Sequence, residues 1–309
     1  MLDTRGANWG MSVTSSFESG QERAVDPAPL ALGASGVPSR AEALAVLSPF
    51  ERRAFTLVER MNQGAWKKLW VFCQRQVNAR WIGLLARPQL EVRGFEHVER
   101  TTAARPLLLV ANHRSNFDMI VVTEVLFRRL KRPIRINFPI RGRGYYQDLT
   151  GVLLNGVAGF WAMYPPLFAL PSHAVFDRYA LDVLIAMCRT GEGNLIGIHP
   201  EGGRNRDPDP YSFRKLQPGT GRIIHAARPQ VIPVFIAGLS NSFTRQVANL
   251  WQKREPIRIH FGAEPDLSDL FALPGKGSTY KAITERVMDE VRRMAEEDRA
   301  QYGAPRGEA

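Results

Sequence analysis

The chain has 309 residues, 44% of them hydrophobic, enough for one large domain or two small ones with a sizeable core, which excludes a chain disordered throughout. A net charge of +11 and a pI of about 10.1 favour anionic partners such as nucleic acid, acidic lipid headgroups or phosphorylated substrates. The two cysteines, Cys73 and Cys188, lie in apolar helix-like stretches without CxxC or Cys/His spacing, so they read as free buried thiols of a reducing compartment.

Residues 1–38 are rich in Gly, Ser, Ala and Pro and lack the apolar core of a signal peptide, so they read as a leader. Ser39 with Glu42, and Ser48 with Glu51, fit capping boxes that open two helices, the second with Pro49 at its first position. Between residues 65 and 87, Trp66, Leu69, Trp70, Phe72, Cys73, Val77, Trp81, Leu84 and Leu85 recur roughly every three to four residues. Lys67, Lys68, Arg75, Arg80 and Arg87 stand among them, the pattern of an amphipathic helix lying at a membrane surface.

From residue 89 short strands alternate with helices. Strands are expected at 89–93, 106–111, 135–138, 194–198, 231–236 and 256–261, and helices at 116–130 and 280–299. The continuous apolar run at 106–111 marks a strand buried on both faces. This alternation predicts an α/β domain with a mixed, mainly parallel sheet flanked by helices. Residues 149–176 carry no Lys, Arg, Asp or Glu, but three glycines and the Pro165–Pro166 pair interrupt them. A folded or membrane-dipping segment, or the wall of an acyl pocket, is expected there rather than a spanning helix.

Four short blocks carry the chemistry. Asn112, His113, Arg114, Ser115, Asn116, Phe117 and Asp118 follow the buried strand and lead into a helix. Asp118 is placed to accept a hydrogen bond from the His113 ring and fix its tautomer, leaving the other ring nitrogen to take a proton from a hydroxyl. The second block is His199, Pro200, Glu201, Gly202, Gly203, Arg204 and Asn205, again at a strand end, with a carboxylate and a guanidinium on a glycine-rich turn. The third is Val175, Phe176, Asp177 and Arg178; the fourth runs from Val231 through Val234.

Together, in this order, the blocks resemble the glycerophospholipid acyltransferase family, whose motifs read NHxxxxD, a segment around an Arg, FPEGTR and VIPV. The likeness spans about residues 90–265. It departs at His199, where the pattern has Phe, at Gly203, where it has Thr, and in the compressed third block. The resemblance implies His113 and Asp118 as the catalytic pair and Arg178 and Arg204 as holders of the acceptor's phosphate. It places Glu201 at the glycerol part and Asn112 and Gly202 with the substrate-binding residues. Backbone amides at a helix start are expected to meet the oxyanion. The donor it implies is acyl-CoA or acyl-carrier protein, with no cofactor and no metal. The expected acceptor is 1-acyl-sn-glycerol 3-phosphate. A lyso-ornithine lipid, lysophosphatidylcholine or a sugar-linked acceptor is the alternative.

The domain division that follows is a leader at 1–38, an amphipathic membrane-docking segment at 39–88, the acyltransferase domain at 89–300 and a tail at 301–309. Anionic membrane lipids are the expected partner, and the cytoplasmic membrane face the expected place. Two readings stand outside this class. A metal-dependent hydrolase would use His113, Asp118 and His199 but lacks a further ligand at metal-like spacing. A nucleic-acid binder would use the seven Lys and Arg of residues 128–143, but no nucleic-acid motif accompanies them, and no nucleic-acid partner is expected.

Overall fold

A computed structural model describes residues 36–240, 248 and 256–303. Residues 1–35 of the expected leader and 304–309 of the expected tail lie outside the described residues.

Helices α1 (Arg40–Ala45) and α2 (Pro49–Met61) start at the two capping boxes, with Ser39 and Ser48 each exchanging hydrogen bonds with the glutamate three residues on. They fold onto the domain: Ala43, Phe55 and Val58 pack with Tyr164, Phe168 and Phe176. The segment expected to dock as a unit therefore packs its first half on the domain, although Phe50 and Leu57 stay exposed there, and its second half shows most of the exposed apolar side chains. That half is α3 (Gly64–Cys73), a π-helical stretch at Gln74–Asn78, and α4 (Ala79–Ala86). Trp66, Leu69, Phe72, Val77, Trp81 and Leu84 are exposed. Lys67 departs from the expected polar face. Its ammonium is buried and donates to the Ile136 carbonyl at 2.7 Å and to Asn62 Oδ1 at 2.9 Å, which ties α3 to the sheet.

The remaining elements run β1 (Leu90–Arg93), α5 (Phe95–Glu99), β2 (Leu107–Ala111), α6 (Asp118–Arg129), β3 (Arg135–Arg141), α7 (Leu149–Ala158), β4 (Met163–Leu167), α8 (Ala174–Arg189), β5 (Asn194–Ile198), α9 (Gly219–Ala227), β6 (Gln230–Ala237), β7 (Ile257–Phe261), α10 (Ser268–Phe271) and α11 (Gly277–Tyr302). The seven strands form one sheet in the order β1-β7-β6-β2-β5-β3-β4, parallel except for the β6–β7 pair. This is the expected mixed, mainly parallel α/β architecture.

Strand β2 lies in the interior of the sheet and is buried along its length. Its alternate residues serve opposite faces. Leu107, Leu109 and Ala111 join the core beneath α6, and Leu108 and Val110 join the core beneath α8, α9 and α11.

The uncharged stretch 149–176 becomes α7, β4 and the start of α8. At ten residues α7 spans about 15 Å, half of a bilayer's hydrocarbon. Among the described residues, no helix is long and apolar enough to cross a membrane. Pro165 and Pro166 lie in β4, an edge strand, the place in a sheet where residues without an N–H are best tolerated. The seven basic residues of 128–143 do not form one strip. Arg128 pairs with Glu124, Arg129 lies over the Phe95 ring, Arg132 bonds Thr101, and Arg141 turns toward the ends of β2 and β5.

Candidate active site

Strands β2, β5 and β3 are parallel neighbours, so the loops leaving their carboxyl ends open on the same edge of the sheet. The β2 loop carries His113, the β5 loop carries His199 to Asn205, and β3 ends on Arg141. Val110 pairs in register with Ile198, which brings the two histidine-bearing loops side by side.

Within the β2 loop, Asp118 is the first residue of α6 and is buried. Its Oδ2 accepts from the Arg114 and Ser115 amides at 2.8 and 2.9 Å and lies 3.0 Å from His113 Nδ1. The carboxylate thus shapes the loop that presents the imidazole and also orients the ring. With Nδ1–H donating to Asp118, Nε2 carries the lone pair, and it makes no hydrogen bond among the described residues. Burial pushes the His113 pKa down, and the guanidiniums of Arg204, Arg141 and Arg214 push it further, so the ring is neutral near pH 7. Burial raises the Asp118 carboxyl, whose Oδ1 is enclosed without a partner.

The loop backbone is clamped from the second block. Glu201, also buried, accepts from the His113 amide with Oε1 and from the Arg214 amide with Oε2, both at 2.9 Å, and the Asn205 amide donates to the His113 carbonyl at 2.7 Å. Glu201 was expected to hold the acceptor. Its two oxygens fasten the β2 loop to the chain around Arg214. Asn112 departs in the same way. Its side chain donates to the Ile236 carbonyl and accepts from the Ile236 amide at 2.9 and 2.8 Å, pairing with β6 in the buried sheet rather than facing a ligand. The amides of His113, Arg114 and Ser115 serve the two carboxylates.

His199 lies face to face with His113, ring centroids 4.0 Å apart and planes within 10°. Its Nδ1 is 3.1 Å from the Ala111 carbonyl, and burial together with His113 lowers its pKa to about 3. Coordinating atoms of His113, His199 and Asp118 all fall within 4.8 Å of one another. The stacking does not suit a shared ion, because imidazole lone pairs lie in the ring plane and two nearly parallel planes cannot both contain one metal.

Gly202 and Gly203 turn the chain over this cluster, Gly202 with φ at +64°. A Cβ on Gly203 would come within 3.0 Å of the Arg214 guanidinium and 3.4 Å of that of Arg141. The glycine at this position therefore lets two cations from distant segments converge beside Arg204. Arg141 donates to the Gly202 carbonyl and Arg214 to the Arg204 carbonyl, each at 3.2 Å. Neither Arg141 nor Arg214 was marked by a motif; the only sequence signals were strand-end placement for one and proximity to the second block for the other.

Arg178 stands apart. On α8 it makes no hydrogen bond or ion pair among the described residues, its Nε is enclosed, and it is not one of the cations acting on His113. The neighbouring Asp177 accepts the Phe168 and Ala169 amides at 2.7 and 2.8 Å, so this block's carboxylate holds the turn after β4.

A family model described as Acyltransferase matches residues 89–237, the span holding every residue of this cluster. Residues 89–237 of this chain form an acyltransferase domain. The chain is an O-acyltransferase, and the reaction class is acyl transfer. Among solved structures it is similar to the 1-acyl-sn-glycerophosphate (LPA) acyltransferase PlsC from Thermotoga maritima, at 15% identity and a TM-score of 0.47, covering 81% of this chain and 95% of that one. No curated protein matches the chain.

Proposed function

We propose that this acyltransferase moves a fatty acyl group from acyl-CoA or acyl-carrier protein to the free hydroxyl of a lysophospholipid. The preferred acceptor is 1-acyl-sn-glycerol 3-phosphate, giving phosphatidic acid. The observation that carries this reading is the neutral His113 imidazole, hydrogen-bonded to Asp118, beside Arg141, Arg204 and Arg214: a base for a hydroxyl next to cations for a phosphate.

In the proposed step, His113 Nε2 takes the proton of the acceptor hydroxyl as its oxygen attacks the thioester carbonyl. Collapse of the tetrahedral intermediate breaks the C–S bond, and the leaving thiolate takes the proton from the imidazolium. Asp118 stabilises that imidazolium. No acyl-enzyme, metal or cofactor is required. The exposed apolar side chains of α3 and α4 hold the enzyme on a bilayer with anionic headgroups, at the cytoplasmic face, where both substrates' acyl chains reside.

The test is a panel of radiolabelled acyl-CoA and acyl-carrier-protein donors against lysophosphatidic acid, lysophosphatidylcholine, a lyso-ornithine lipid and monoacylglycerol, with mass analysis of products. Diacylation of the phosphomonoester acceptor in preference to the others, lost in His113→Ala, supports the reading. Equal use of monoacylglycerol, or full activity of the variant, overturns it.

A further inference from the structure

Away from the His113 cluster, the π-helical stretch and α4 face α6 across a cavity of about 230 Å³, lined by Arg75, Gln76, Arg80, Arg87, Phe127 and Arg128. It lies near the far end of α6 from the reaction centre. Arg128 is ten residues beyond Asp118 on that helix, about 15 Å along its axis. Four guanidinium-bearing side chains meet here, and among the described residues one acid answers them: Glu124 Oε1 accepts from Arg87 at 2.9 Å and from Arg128 at 3.1 Å. Arg75 donates to the Leu130 carbonyl at 3.3 Å, a neutral partner. Arg80 has no hydrogen-bonding or ionic partner among the described residues.

The helix is built to admit this arrangement. A Cβ on Gly83 would come within 2.7 Å of the Arg87 guanidinium, so glycine, a costly residue inside a helix, leaves room for that side chain to lie back over α4 toward Glu124. The π-helical stretch supplies Arg75 and Gln76; such interruptions of α-helical winding often occur at functional sites.

We propose that this cavity binds the phosphate of an anionic phospholipid headgroup, fastening α3 and α4 to the bilayer at a site separate from the acyl-transfer centre. The volume is below the roughly 300–1,000 Å³ of a site that encloses a whole drug-sized ligand, which suits a headgroup phosphate whose tails remain outside. Val77, Trp81 and Leu84, exposed on the same stretch, supply apolar contact for those tails, which a soluble phosphate has no use for. The proposal rests on the membrane-surface reading above.

The experiment is co-sedimentation of the full chain with phosphatidylcholine vesicles, with and without phosphatidylglycerol. The double variant Arg75→Gln/Arg80→Gln is compared with Lys68→Gln/Arg143→Gln, which removes equal charge from exposed residues outside the cavity. Thermal melts confirm that both fold. The cavity variant is expected to bind phosphatidylglycerol vesicles at least tenfold more weakly than the control variant, with binding to pure phosphatidylcholine unchanged. Equal losses in the two variants mean diffuse surface charge and overturn the proposal. Titration with inorganic phosphate and with CoA separates the other source: binding that disappears in the cavity variant assigns the site to a soluble phosphate and overturns the lipid assignment. If the wild-type chain binds neither vesicle, the membrane-surface reading fails as well.

Discussion

His199 lies flat against His113, the two imidazoles 4.0 Å apart at their centroids and 10° from parallel. The stack fixes the plane in which His113 can turn, while Asp118 fixes its rotation within that plane. Together they leave Nε2 as the one nitrogen open to a substrate proton. That arrangement underlies the catalytic prediction. In His113→Ala, kcat should fall by at least about 10²–10⁴-fold, the usual contribution of a general base. Asp118→Asn should lose a comparable factor, because an amide cannot stabilise the imidazolium. Single-turnover rates with saturating donor, alongside unchanged circular dichroism for His113→Ala, check this.

His199 also makes a pH prediction. Its folded-state pKa is about 3, against about 6.5 in an unfolded chain. Below pH 6.5 the unfolded state takes up a proton that the folded state refuses until about pH 3, so this group's stabilisation is complete above 6.5 and declines as pH falls. The loss is about 2 kcal/mol by pH 5. His199→Phe keeps an aromatic face on His113 and removes the titrating group. Its melting temperature should fall less than the wild type's between pH 7 and pH 5, as measured by thermal melts across that range.

Arg141 and Arg214 should act on binding. Replacing either by Gln removes a charge-assisted contact of about 1.5–3 kcal/mol, raising KM for a phosphate-bearing acceptor about tenfold or more with little change in kcat. Initial-rate kinetics with lysophosphatidic acid and with monoacylglycerol provide the check, since the acceptor without phosphate should be indifferent to both changes.

Glu201 and Asn112 should behave as positioning residues. Asn112→Ala leaves the buried Ile236 amide and carbonyl unpaired, a cost of about 1–3 kcal/mol. Glu201→Gln puts an amide N–H against that of His113 or Arg214, a similar cost. In both variants the melting temperature should drop by several degrees and kcat should fall, while KM for the acceptor stays near its wild-type value. A rise in KM without loss of stability would restore the substrate-binding role to these residues.

The features readable from sequence were those whose partners lie a few residues away. The capping boxes at Ser39 and Ser48 are local hydrogen-bond exchanges. The apolar run of β2 reports a strand covered on both faces, and four intervening residues let Asp118 reach back to His113 across one loop. The family blocks added the reaction class because they bundle such local geometry in a fixed order.

Tertiary structure alone decided the rest. Arg141 enters the site because β3 is the parallel neighbour of β5, and Arg214 because Glu201 draws its amide inward; neither adjacency leaves a mark on the residues beside them in sequence. Glu201 and Asn112 look like ligand-binding groups until the chain folds and their nearest donors and acceptors prove to be backbone. Lys67, spaced to face water on an amphipathic helix, is turned inward because α3 crosses β3 where the Ile136 carbonyl accepts its ammonium. The physical reason is the same in each case. Period and composition tell which face of an element is apolar, but the partner of a buried polar group is chosen by whichever distant segment the packed sheet brings within 3 Å.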